Sequence, residues 1–146
     1  KAVPDEAAAV MALTNAGAND SLADRFGRTP LLRSLEARHA ETARILLAVE
    51  RDIERQSATG NTALILAASA GMAEVVGALL KAGAKRDVRN SQGYSALMMA
   101  AREGHAEIAK TLIAAGADRS LRNKQRETAV EIATVSGHGA LAELLR

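Results

Sequence analysis

The chain has 146 residues, 48% of them hydrophobic, no cysteine and a formal net charge of +2. Without cysteine there are no disulfides or thiolate metal centres, and a reducing and an oxidising compartment fit equally well. The small net charge argues against a nucleic-acid binder, and no apolar run approaches the ~20 residues needed to cross a bilayer.

A period of 33 residues organises everything that follows. Thr29, Thr62, Ser95 and Thr128 share one column, each followed by Pro or Ala and then Leu or Val. Gly27, Gly60 and Gly93 stand two residues earlier, with Arg126 in the fourth place. His39, His105 and His138 share another column with Met72, and Gly71, Gly104 and Gly137 precede it. In chain order this predicts a leading half-repeat over 1–23, with one helix near 6–15, then repeats over 24–56, 57–89 and 90–122 and a capping repeat over 123–146. Each complete unit is expected to hold a turn and two helices: 30–37 and 40–48, 63–70 and 73–81, 96–103 and 106–114, 129–136 and 139–146.

The local chemistry agrees. A hydroxyl residue just before a helix accepts a hydrogen bond from an orphan amide, and Pro30 suits a first turn because its missing N–H would have no partner there. The pairs Ala67-Ala68 and Ala100-Ala101 let helices approach closely. Leu46, Leu79, Leu112 and Leu144 are read as the apolar stripe that one repeat cannot bury alone. Repeat two departs most: Ser34-Leu35 replaces the small pair, and Arg38 and Glu50 stand where glycine is expected, each substitution costing about 1 kcal/mol at a left-handed turn.

Thr62-Ala63-Leu64 with Ala67-Ala68, Gly71, Leu79-Leu80 and Gly83-Ala84, and Ser95-Ala96-Leu97 with Ala100-Ala101, Gly104-His105 and Gly116-Ala117-Asp118, resemble the ankyrin repeat, whose signature runs T-P-L-H-x-A. The resemblance covers almost the whole chain. It implies an all-α ankyrin-repeat solenoid of helix pairs joined by β-turn fingers, here four pairs plus an N-terminal half-repeat, and a non-enzymatic module that binds a partner protein as inhibitor, regulator or protective partner. A structural spacer or targeting domain cut from a larger protein is the alternative.

The sequence offers little chemistry. The three histidines recur one per repeat, roughly 10 Å apart on the spacing of packed layers, whereas zinc ligands converge on one ion at about 2 Å; they read as structural, and neither metal nor cofactor is expected. No phosphate-binding loop, dinucleotide fingerprint or nucleophile elbow occurs, and Ser136-Gly137-His138 lies in an interhelical turn without a placed base and acid.

Partner contacts are therefore expected on the concave face. Phe26 and Tyr94 fall in finger positions, Leu66, Met99 and Ile132 form an apolar series on the following helices, and Arg28, Arg33 and Arg102 lie beside them. The competing reading folds the aromatics onto adjacent fingers and buries the apolar series between repeats. Arg86, Arg89, Arg119 and Arg122 form a basic ladder along the later fingers, suited to an acidic protein patch or simply solvated. A monomer is expected. Lys1 in place of an initiator Met reads as a processed or trimmed chain, soluble in the cytoplasm or, after processing, periplasmic or secreted.

Overall fold

A computed structural model describes residues 24–48 and 52–146. Within them lie eight helices: α1 (Pro30–Glu36), α2 (Ala40–Leu47), α3 (Ala63–Ala70), α4 (Ala73–Lys81), α5 (Ala96–Glu103), α6 (Ala106–Ala114), α7 (Ala129–Val135) and α8 (Gly139–Leu145). All eight match the sequence-derived spans to within a residue at either end. The half-repeat over 1–23 and the Glu50 turn lie outside the described residues.

Each first helix starts as its sequence dictates. Thr29, Thr62, Ser95 and Thr128 are extended N-caps whose hydroxyls accept from the amides of Leu32, Ile65, Met98 and Glu131. Pro30 occupies the first turn of α1, and Glu131 closes a capping box with Thr128. At two turns or so, none of these helices would hold alone; burial against neighbours stabilises them.

The inner helices α1, α3, α5 and α7 stack on one another far more extensively than the outer helices α2, α4, α6 and α8 do. The alanine pairs explain this, since Ala67, Ala68, Ala100 and Ala101 are completely buried and hold no side chain that would keep the inner helices apart. The outer helices contribute Leu46, Leu79, Leu112 and Leu145, all buried. Here the sequence reading slips by one position: Leu144 is 37% exposed and Leu145 is 1% exposed, because only Leu145 keeps the 33-residue register of the stripe.

Between the pairs, the fingers are tight turns. Among the described residues they contain no strand, yet single backbone bonds stitch them together: Ala58 N to Phe26 O at 2.8 Å, Ser91 N to Thr59 O at 3.0 Å and Lys124 N to Gln92 O at 3.1 Å. Gly93 sits at φ +84°, and a Cβ there would stand 2.8 Å from Lys124 N, so the next finger leaves room only for glycine. At the equivalent Arg126 (φ +68°) the left-handed turn persists but no described finger follows, and a side chain is accommodated.

The interhelical turns obey the same rule. A Cβ on Gly104 (φ +80°) would lie 2.7 Å from Cε1 of His138 in the next repeat, and one on Gly71 would lie 2.9 Å from Cε1 of His105. In repeat two Arg38 keeps a positive φ of 62°, and the residue that follows in the histidine column is the flexible Met72. Glycine and the following histidine are thus lost together.

Two stability measurements check this packing. Leu79→Ala and Leu112→Ala, at fully buried positions, should each cost about 2–5 kcal/mol in chemical denaturation, and Leu144→Ala under about 1 kcal/mol; equal losses would refute the burial pattern. Gly104→Ala and Gly137→Ala share the left-handed penalty, but only the first meets a histidine ring, nothing lying within 4 Å of a Cβ on Gly137. Gly104→Ala should therefore be the more destabilising by about 1 kcal/mol or more.

Candidate functional site

Every finger begins with a short polar residue that folds the turn around itself. Asp24 Oδ1 accepts from the amides of Phe26 and Arg28, both at 2.9 Å, and Asn90 and Asn123 do the same in their fingers. Ser57 serves as a weaker version, accepting from Asn61 N at 3.3 Å. These turns aim the fingertip side chains along one edge of the stack.

The finger's last residue then faces the end of the first helix of the same repeat. In repeat two the pair is Arg28 and Glu36, joined at 2.7 Å, with Arg28 also bound to Asp24 at 2.8 Å. In repeat four the same two columns hold Tyr94 and Arg102, and the guanidinium lies 5.2 Å from the ring centroid. An ion pair and a cation–π pair thus occupy corresponding places where finger and first helix meet.

Phe26 is the most distinctive group there. Its ring is 48% exposed, with the guanidinium carbons of Arg25 and Arg28 at 5.1 and 5.0 Å from its centroid. Beside it opens a cavity of about 240 Å³ lined by Phe26, Arg28, Glu36, Ser57, Ala58 and Thr59. The wall is shared between two repeats. Sequence pattern alone does not point to Asp24 and Glu36 as the anchors of Arg28; the recurring Asp24/Ser57/Asn90/Asn123 column is the signal that carries the turn.

The other candidates scatter. Arg33 and Arg102 are exposed, and Tyr94 and Leu66 are half-buried against the core. Met99 and Ile132, expected as surface contacts, are only 8% and 3% exposed. They are core residues, because the close stacking of α3, α5 and α7 covers this helix position, while the charged Arg33 in the same column stays at the surface.

The basic ladder separates into two rows. Arg86 packs toward Gly116 and Arg119 donates to the carbonyl of Arg146 at 3.0 Å, both at the ends of outer helices. Arg89 and Arg122 instead line a cleft with Lys124.

The histidines lie in separate layers. Nε2 of His105 is 3.2 Å from the carbonyl oxygen of Ser69, and Nε2 of His138 is 3.2 Å from that of Arg102, so each ring, donating from Nε2, ties its outer-helix start to the inner helix of the preceding repeat. His39 stands at the N-cap of α2, the same place in its repeat. Among the described residues no three His, Asp or Glu side chains converge as metal ligands, and no helix is long and apolar enough to cross a membrane.

A sequence model of ankyrin repeats (3 copies) matches residues 2–90 and 78–146. The chain belongs to the ankyrin repeat family. Ankyrin repeats are in general protein–protein interaction modules, typically without catalysis of their own, and that general role is what membership brings to this chain. No curated protein matches it in sequence.

Asp24 gives this ankyrin stack a measurable acid dependence. Partial desolvation works to raise its carboxyl, but the amides of Arg28 and Phe26 and the Arg28 guanidinium outweigh it and hold the group below its ordinary value of 3.8. A depressed folded value means that the stabilisation is complete above the unfolded value and disappears as pH falls through the folded one. Asp24→Asn keeps the amide acceptor, as Asn90 and Asn123 do, but loses the charge. Its melting temperature should lie below that of the parent at about pH 7 and converge with it as pH falls through the lowered folded value.

Proposed function

We propose that this ankyrin domain binds a partner protein through the concave face, with Phe26 as the apolar anchor. The observation that carries the reading is the half-exposed Phe26 ring, held between two guanidiniums at the mouth of a cavity that two repeats share. An exposed aromatic costs solvation in the free protein and gains most when a partner covers it, and aromatic and Arg side chains dominate the centres of interfaces. Tyr94 and Arg102 extend the surface two repeats along, and Arg33 and Leu66 lie on the inner helices between. Because Arg28 is already neutralised by Asp24 and Glu36, its role is to fix the ring, while Arg25 and Arg33, which form no ion pair among the described residues, are the cations offered to a partner. Binding of this kind suits a regulator, inhibitor or protective partner of one protein.

Phe26→Ala tests this cleanly, since the exposed ring contributes little to the core. Against the native partner, identified by cross-linking in the source cells and then purified, the variant should lose about 2 kcal/mol, roughly thirtyfold in Kd, with an unchanged circular dichroism melt. Tyr94→Phe should keep the melt and most of the affinity. Wild-type affinity for Phe26→Ala would refute the concave-face reading.

A further inference from the structure

The cleft on the later fingers is lined by residues other than those around Phe26: Asp87, Arg89, Asn90, Gly93, Arg122, Asn123 and Lys124. Its acidic neighbours are already engaged. Asp87 Oδ1 accepts from the amide of Asp118 at 2.9 Å, and Asp118 Oδ1 accepts from the amide and hydroxyl of Ser120 at 2.8 and 2.6 Å. Among the described residues neither forms an ion pair with an arginine, and Glu131 is the one carboxylate within ion-pair distance of the cleft's cations, 3.5 Å from Arg122.

The guanidiniums are also held in position. Arg89 donates through one NH group to the carbonyl of Arg122 at 3.1 Å, and Arg122 donates to the carbonyl of Arg126, which leaves further N–H donors of both groups for a ligand. Lys124 bonds to Gln92 O through its amide, so its backbone is seated on the preceding finger, while its ammonium makes no hydrogen bond among the described residues. The result is a preorganised cationic cleft with little internal compensation.

We propose that this cleft docks an extended acidic segment of a partner protein, its carboxylates recurring at every third residue. Arg89 and Arg122 are one repeat apart, roughly 10 Å on the spacing of packed layers. A segment in the extended polyproline II conformation advances about 3.1 Å per residue with three residues per turn, so side chains three residues apart share one face and span about the same distance. Carboxylates are the complement because Arg presents a planar fork of donors to them. A nucleic acid would want an aromatic platform for its bases. The ring nearest the cleft, Tyr94, is half-buried with Arg102 over it.

Fluorescence anisotropy with two labelled nonapeptides of identical composition tests the inference: one with Glu at every third position among serines, the other with its glutamates contiguous. The spaced peptide should bind about fivefold tighter than the block. Lys124→Gln should weaken it about threefold and the Arg89→Gln/Lys124→Gln pair about tenfold, whereas Arg25→Gln/Arg33→Gln should leave it within about twofold. Lys124→Gln removes an ammonium with no structural bond, so its result stands even if Arg89→Gln loosens the fingers. Equal affinity for the two peptides, an equal loss in the Arg25/Arg33 variant, or no binding at about 0.05 M salt would each overturn the proposal. So would tighter binding of a nine-residue oligothymidylate, which would make the cleft a nucleic-acid site.

Discussion

A pair of two-turn helices cannot bury its own apolar stripe, so each repeat of this chain is completed by the next. Leu79 and Leu112 reach zero exposure because the neighbouring layers cover them, and the buried alanine pairs set how closely those layers approach. The polar contacts obey the same dependence. A histidine of one repeat seeks a carbonyl of the one before, and each finger amide bonds to the preceding finger. Hydrophobic burial supplies the affinity between layers, and these directional bonds fix their register.

That dependence also explains what was legible in the sequence. Helix positions were readable because caps, small pairs and leucines recur in columns, and a column of hydroxyls before apolar residues has one local solution. The burial of Met99 and Ile132 was not readable: their apolar character suits an interface and a core equally, and only the distance between stacked inner helices decides between them. The split of the basic ladder was hidden for a related reason. Arg86 and Arg89 are three residues apart in one connecting segment, but their reach is set by carbonyls and turns of the following repeat. Leu144 and Leu145 are adjacent and equally apolar, and a shift of one residue in register exchanges core for surface.

Surface chemistry follows the columns with one freedom. Where finger and first helix meet, the same two positions hold Arg28 with Glu36 in one repeat and Tyr94 with Arg102 in another. The backbone dictates that these side chains meet, and the residue types decide what they present. The chemistry at these positions can therefore vary between repeats without disturbing the stack, because the ion pairs and the ring contact made here lie within one repeat.

The paired loss of glycine and histidine at Arg38 and Met72 has a mechanical side. In a quasi-one-dimensional array, cooperativity is only as strong as the coupling at each joint, and the joint between repeats two and three lacks the imidazole-to-carbonyl tie present at the two joints after it. The cavity beside Phe26 straddles that same joint, with Phe26, Arg28 and Glu36 on one side and Ser57, Ala58 and Thr59 on the other. A ligand seated there would act as a splint, restoring from outside the cohesion that the chain omits, so that occupancy and the cooperativity of unfolding would rise together.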